Sequence, residues 1–475
     1  MSLVLLGKRR YAVLVLVVLV LVLFFGGCGK RTDVAKEGVY SGEVYPENGL
    51  PKDKKVTLSA IFPVQGLGKE YFEYAVETFE KRFPNVKVDV RYIEGGSAYG
   101  NLIQSILKGG DDSDMYDWTH NFGVSKPILI EQGKLEPQDE IWERTLYDRP
   151  DAKVKDIVMA DELEVFGSTG HMYVVPQSGG INGIYYNKKM FRDNGWNMEP
   201  ENWDEFLALC KEIKIKNISP MVGAGKYPLY FKDGWGAVSY AIGGDKYRQA
   251  LFELQPNVYK DHAYLMLFKR LEEFAQLGYF HPGTISFDHT QSQMEFLQET
   301  AAMIPVGSWI ANEMRDVVSE DFEWGFMAFP GNEPGQQQVV FNTTGGSGHI
   351  WKNRPELNKK WTKEFNLWML NLDVQQKIGE AGAVPIRRDY VGNRELTAKL
   401  SPSVLAAMDY INKYDVKTVN PGIRERVVAN SEMAKLDKVI GDNIIEVISL
   451  QKKAEDAVKE INVTYMKGLA AERKK

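Results

Sequence analysis

The chain has 475 residues, of which 44% are hydrophobic, 26% charged and 12% aromatic, with a formal net charge of −6. Such a composition supports a large core spread over two or three domains and excludes a disordered chain. The acidic balance gives no reason to expect nucleic-acid binding, which needs clustered Lys and Arg.

Lys8, Arg9 and Arg10 precede an unbroken apolar run from Tyr11 to Phe25, followed by "GGCGK". A membrane span takes roughly 20 apolar residues, so this run is short for a span and suits a signal peptide. The stretch resembles a bacterial lipoprotein signal, in which Cys28 receives lipid and becomes the new N-terminus. Phe25 departs from the leucine usual in that pattern. The alternative is an uncleaved anchor, and either one puts the body outside the cytoplasm. Cys28 and Cys210 are the two cysteines, so lipid on Cys28 leaves no internal disulfide. Residues 29 to 55 are polar and without apolar periodicity, as expected of a tether.

The body opens with "KVTLSAIFPV", a strand. "YFEYAVETFEKRFP" puts Phe72, Val76, Phe79 and Phe83 on one helical face, and Pro84 stops the helix. "VKVDVRYIE" alternates as a second strand, "YGNLIQSILKGG" is helical, and "MYDW" reads as the end of a third strand. This βαβα order predicts an α/β lobe with a mostly parallel sheet. "MYVVP" and "INGIYYN" read as two strands joined by "QSGG", a place to cross between lobes. "NWDEFLALCKEIK" is a helix capped by Asn202, with Cys210 on its apolar face as a buried thiol.

Residues 220 to 300 read as mostly helical, with loops at "GAGKYPLYFKDGWG" and "YFHPGTISFDHTQSQ". In "TAAMIPVGSWIANEM", Ala301 to Val306 form a buried strand, Gly307 and Ser308 break it, and a helix starts at Ile310. "FEWGFMAFP" is a further strand, and "FNTTGGSGHIWK" is a second glycine-rich passage able to cross back. Trp361, Phe365, Trp368, Met369 and Leu372 recur at helical spacing and read as core. From Ser431 the tail is helical in pattern.

This order of signals resembles the extracellular solute-binding proteins of bacterial ABC importers, in the branch related to maltose- and oligosaccharide-binding proteins. "IYYNKKMF", "ETAAMIPVGSWIANEM", "TTGGSGHIWKNRPELNKKWTKEFNLWML" and "QQKIGEAGAVPIRRDY" carry the resemblance, which covers the chain from about Lys55 onward. It implies an α/β, two-lobed periplasmic-binding-protein-like fold with an interlobe ligand cleft. The implied organisation is a signal peptide at 1–27 and a tether at 28–54. The N-terminal lobe takes 55–177 plus about 346–372, and the C-terminal lobe 178–345 plus about 373–475. Hinges are expected near Pro176 to Ile181 and Phe341 to Gly346, with a third crossing unplaced. The implied partners are a sugar and ABC permease subunits, with the membrane reached through the N-terminal lipid. The protein is expected to be a monomer on the outer face of the cell membrane, with no cofactor. "FDHTQSQMEF" with "IPVGSWIANEM" resembles the branch that binds N-acetylglucosamine or chitobiose.

A sugar ring shows a patch of C–H groups that an aromatic face meets well. Trp309, at a strand end, is placed to be that platform; the alternative is a side chain filling the seam between strand and helix. Trp118 with Asn121 pairs an apolar plate with a donor and acceptor, against a core Trp and a turn residue. Trp235 near a helix start, Gln65 after the first strand and Asp117 are further candidates, although an acid at such a position is often a helix cap. Gly346 permits close backbone approach, and Arg387 is a candidate contact at a position where Arg is usually at the surface.

The sequence has no G-x-S-x-G, H-E-x-x-H or P-loop motif, and no paired Cys or His at metal spacing. "DDSDMYD" lacks the Gly and the distant Glu of a calcium loop. A non-catalytic sugar-binding module is therefore the leading expectation. A glycoside hydrolase, needing two carboxylates roughly 5–10 Å apart, and a surface scaffold are the alternatives.

Overall fold

The computed structural model describes residues 42–472 apart from 65, 110–114, 122–125, 161–164, 167–168, 332–335, 347, 422–427 and 429. The signal segment, Cys28 and Gln65 lie outside the described residues. The chain divides into two compact units, Met1–Asp53 and Lys54–Lys475. The described part of the first is a turn in which Val44 bridges Pro51 and the Tyr45 N–H donates to the Leu50 carbonyl at 2.9 Å.

The strands of the second unit are β1 (Val56–Val64), β2 (Val86–Glu94), β3 (Trp118–His120), β4 (Pro176–Asn187), β5 (Ser219–Met221), β6 (Ala301–Gly307), β7 (Trp324–Met327), β8 (Val339–Gly346), β9 (Gly348–His349), β10 (Val384–Pro385) and β11 (Lys417–Val419). They form two sheets. The first runs β2-β1-β3-β9, with β1 parallel to both β2 and β3 and with β9 antiparallel to β3. The expected parallel lobe is there, but its third strand begins at Trp118, so "MYD" precedes the strand. The helix Glu70–Arg82 links β1 to β2. It has Glu70 and Glu73 in its first turn and Lys81 and Arg82 in its last, matching the helix dipole at both ends. It buries Phe72 and Phe79, while Val76 is only half-buried. Trp361 and Phe365, on the helix Glu356–Trp368, meet Phe79 edge-on.

The second sheet runs β11-β8-β4-β6-β5, with β7 and β10 also paired to β4. β4 is its spine. Its first half pairs with β8 and β10, and its second half with β6 and β7. The sequence places strands at "MYVVP" and "INGIYYN" with "QSGG" between them, whereas the structure has one strand that starts at Pro176 and runs through the glycines, with residues 172–175 outside it. The glycines there serve close packing and not a turn. A Cβ on Gly179 would lie 2.7 Å from Asn342 Oδ1, and one on Gly180 would lie 3.0 Å from Trp309 Cζ3. Two expected loops also hold helices, Leu229–Trp235 and His289–Leu297. The second helix has a capping box in which Asp288 accepts from the Gln291 N–H and the Gln291 side chain accepts from the Asp288 N–H.

Cys210 is fully buried on the helix Trp203–Ile215, which Asn202 caps. The tail is two helices, Leu436–Ile448 and Ala454–Glu472. The segment after Leu372, assigned to the second lobe by its place in the sequence, packs first on the other one. The Tyr74 hydroxyl donates to Asp373 at 3.0 Å, and the Arg387 Nη1 donates to Asp148 at 2.6 Å. β10 then runs along β4, and the helix Pro402–Tyr414 lies on β7.

Candidate ligand-binding site

Trp309 stands where β6 ends and the short helix Ile310–Glu313 begins, as the sequence implies. Its side chain is half-buried. The six-membered ring of the indole lies over two glycines. A Cβ on Gly307 would fall 2.2 Å from its Cη2, and one on Gly180 would fall 3.0 Å from its Cζ3. Any other residue at Gly307 would push the ring away, so this turn is a floor made for the indole. Gly382, at φ +97°, approaches the Trp309 backbone from the other side, with a Cβ position 2.9 Å from its Cα. The turn is tied down by Ser308, whose hydroxyl donates to the Gly382 carbonyl at 3.0 Å and whose own carbonyl accepts from the Ser403 hydroxyl.

The pyrrole edge of Trp309 faces the opposite lobe. A Cβ on Gly66, in the loop after β1, would lie 3.3 Å from Trp309 Cδ1 and 3.1 Å from Glu313 Oε1. The two lobes touch along this line. The Asn312 amide donates to the Gly66 carbonyl at 3.1 Å, and Arg315 Nη2 lies 3.0 Å from Glu70 Oε1. Both charged partners are more than half exposed, so this pair contributes little stability by itself.

One helical turn after Trp309, Glu313 belongs to a polar group that the sequence did not reveal. His289 Nε2 lies 2.6 Å from Glu313 Oε2, and the Gln293 amide donates to the same oxygen. The Tyr230 ring stacks on His289 with centroids 4.7 Å apart. Burial, and then the Glu313 charge, raise the Tyr230 phenol above its ordinary range. The available signal was spacing: His289 and Gln293 stand four apart on one helix, as do Trp309 and Glu313 along the chain. Reading "HTQSQ" as loop hid the first pair. Across the seam, His120 ends β3 and Asn121 follows it, half-buried.

Four other candidates are corrected to structural roles. Trp118 is 1% exposed and packs on Phe62 and Phe72, and its Nε1 donates to Asn366 Oδ1 at 2.8 Å, so neither its face nor its donor is left for a ligand. Trp235 is wholly buried against Phe329 and Phe274 in the second lobe. Asp117 takes hydrogen bonds from Ser59, Arg354 and Asn358, stapling β1 to the helix Glu356–Trp368. Arg387 is buried, pairs with Asp148 and Asp389, and by its hydrogen bond holds the Asp389 carboxyl below the usual carboxylate range. A buried charge persists when it is paired in this way. Gly346 pairs with Pro176 at the start of β4, in the crossing strands.

Two lobes on separate sheets, which touch beside a half-buried Trp, define a two-lobed α/β protein. The model of the bacterial extracellular solute-binding protein family matches residues 65–371, and the chain belongs to that family. It is 25% identical over 283 residues to the diacetylchitobiose binding protein NgcE of Streptomyces coelicolor, covering 59% of each chain. It is 29% identical over 230 residues to a multiple sugar-binding protein of Streptococcus mutans, covering 45% of this chain and 51% of that one. The matches thus span little more than half the length of these relatives. Among solved structures, a chitin oligosaccharide binding protein superposes with a TM-score of 0.69 at 20% identity, over 88% of this chain and 99% of that one. A maltose-bound protein of T. maritima gives the same score at 16% identity, over 86% and 99%. The fold is therefore the expected two-lobed one. Among the described residues no helix is long and apolar enough to cross a membrane.

Proposed function

We propose that this chain captures an oligosaccharide between its lobes outside the cell and hands it to the permease of an ABC importer, with no reaction on the sugar. The observation that carries the reading is Trp309, held flat on Gly180 and Gly307 at the line where the lobes meet. There a ring can lie against the indole while hydroxyls reach polar groups from both sides. The expected ligand is a short N-acetylglucosamine oligomer such as chitobiose, the sugar class named for two of the proteins this chain resembles. Asn121 and Gln65 are proposed as further contacts from the first lobe.

Lobe closure is proposed as a hinge motion in β4 near Pro176 to Ile181 and in β8 near Phe341 to Gly346. A third crossing is proposed between β10 and Ser401, whose N–H donates to the Gly379 carbonyl. Cys28 is the proposed lipid site, holding a monomeric body to the outer face of the membrane through the tether.

Titration of the soluble body with mono- and oligosaccharides, followed by tryptophan fluorescence, tests this directly. A saturable change that Trp309→Ala abolishes in a folded protein is the expected result. Silence across the panel would leave the scaffold reading, and release of sugar from a polymer would replace binding by hydrolysis.

A further inference from the structure

Glu313 is held in an unusual way for a residue on the line where the lobes meet. One carboxylate oxygen, Oε2, is engaged twice, by His289 Nε2 at 2.6 Å and by the Gln293 amide. The other, Oε1, has no hydrogen-bond partner among the described residues and points at Gly66 of the opposite lobe, 3.1 Å from where a Cβ there would stand. The Glu313 side chain is 15% exposed and His289 20%, so the pair is mostly withdrawn from water but open on one side. Gln293 is 1% exposed and fixed on a helix with a complete capping box. A carboxylate with one oxygen clamped and the other bare is an oriented acceptor. Trp309 precedes it by one helical turn, so an apolar plate and a charged acceptor both face Gly66 of the opposite lobe.

We propose that Glu313 Oε1 is a specificity-determining acceptor of the ligand site, taking an N–H or O–H from the sugar that lies on Trp309, with His289 and Gln293 as its positioning residues. This rests on the oligosaccharide-binding reading. The clamp dictates what a test substitution does. In Glu313→Gln the side-chain carbonyl stays with the two donors, because an NH2 group facing them would set donor against donor. The new NH2 then takes the place of Oε1, and the cleft presents a donor where it had an acceptor. A lost hydrogen bond to a charged group costs about tenfold to a hundredfold in affinity.

Calorimetric titration of the wild type, Glu313→Gln and Gln293→Met with chitobiose and cellobiose tests the assignment. The first sugar offers acetamido N–H groups where the second has hydroxyls. Glu313→Gln is expected to lose at least about tenfold toward the sugar that the wild type binds while keeping its melting temperature. A loss confined to chitobiose assigns the donor to the acetamido N–H, and a loss for cellobiose assigns it to a hydroxyl. Gln293→Met is expected to weaken binding less, and to weaken it no further in the Glu313→Gln background, which a general packing defect would not reproduce. Should Glu313→Gln not fold, Glu313→Asp, which keeps the charge but withdraws the oxygen, is expected to show the same loss. A variant that binds as tightly as the wild type overturns this assignment alone. A wild type that binds no sugar overturns the parent reading and this one with it.

Discussion

Trp118 and Trp309 stand at comparable places, each beside the end of a strand in its own lobe, and they end up in opposite environments. Trp118 opens β3 and is closed in by Phe62, Phe72 and Asn366. Gly348 on β9 comes so close that a Cβ there would lie 2.3 Å from its Cε2. Trp309 follows β6 and has glycines beneath its ring as well, but its pyrrole edge meets Gly66 in a loop of the other lobe. In both cases glycine makes room for an indole. The difference is what stands on the far side: a packed helix for Trp118, and a loop of the other lobe for Trp309. Under the proposed hinge motion, an aromatic residue at a strand end becomes available to a ligand when its outer neighbour belongs to the other lobe.

The largest expected effect separates the two tryptophans by stability. Trp118→Ala should cost about 3–5 kcal/mol, as for other large core aromatics, and lower the melting temperature by several degrees. Trp309→Ala should cost far less and should remove sugar binding. Equal losses of stability in the two variants, read by denaturant titration, would break the comparison.

Gly307→Ala comes next. The methyl would overlap the Trp309 ring, so the indole must tilt, with an overpacking cost of about 1–3 kcal/mol. Affinity for the sugar should fall with Trp309 still present. Unchanged affinity in a titration would mean that the glycine floor does not orient the ring.

Acid should loosen the lobe of Trp118. His349 is fully buried beside it, and burial, with repulsion from Lys126, pushes its imidazole down to about 3. The unfolded chain takes up this proton near pH 6.5 and the folded one does not. Stability is therefore complete above about pH 6.5 and is lost as pH falls toward 3, by at most about 1.4 kcal/mol per pH unit. His349→Gln should flatten that slope in melts taken between pH 7 and pH 4.

The smallest effect belongs to Arg315→Ala. Its exposed pair with Glu70 spans the seam, so stability should change by less than about 1 kcal/mol. A small rise in the sugar dissociation rate by stopped flow is expected, since one contact between the lobes is gone. A loss of several kcal/mol would show that the seam is part of the core.

The sequence by itself determined the α/β class, the parallel sheet of the first lobe, the helix faces around Phe79 and Phe365, the caps at Asn202 and the strand-turn-helix at Trp309. These rest on periodicity and turn chemistry, which act over a few residues and are written in the chain. It placed a strand at "MYVVP" and took "QSGG" for a link because glycines usually mark turns, whereas β4 starts at Pro176 and these two glycines answer to Asn342 and Trp309, far away in sequence. It also held Trp118, Trp235, Asp117 and Arg387 open as ligand contacts. Only the tertiary structure decided otherwise, because burial depends on what packs against a side chain, and Asn366, Phe329, Arg354 and Asp148 arrive from distant segments. Glu313 was settled in the same way. Its clamp joins the helix His289–Leu297 to the helix after Trp309, and the strand β6 between them brings the two ends together.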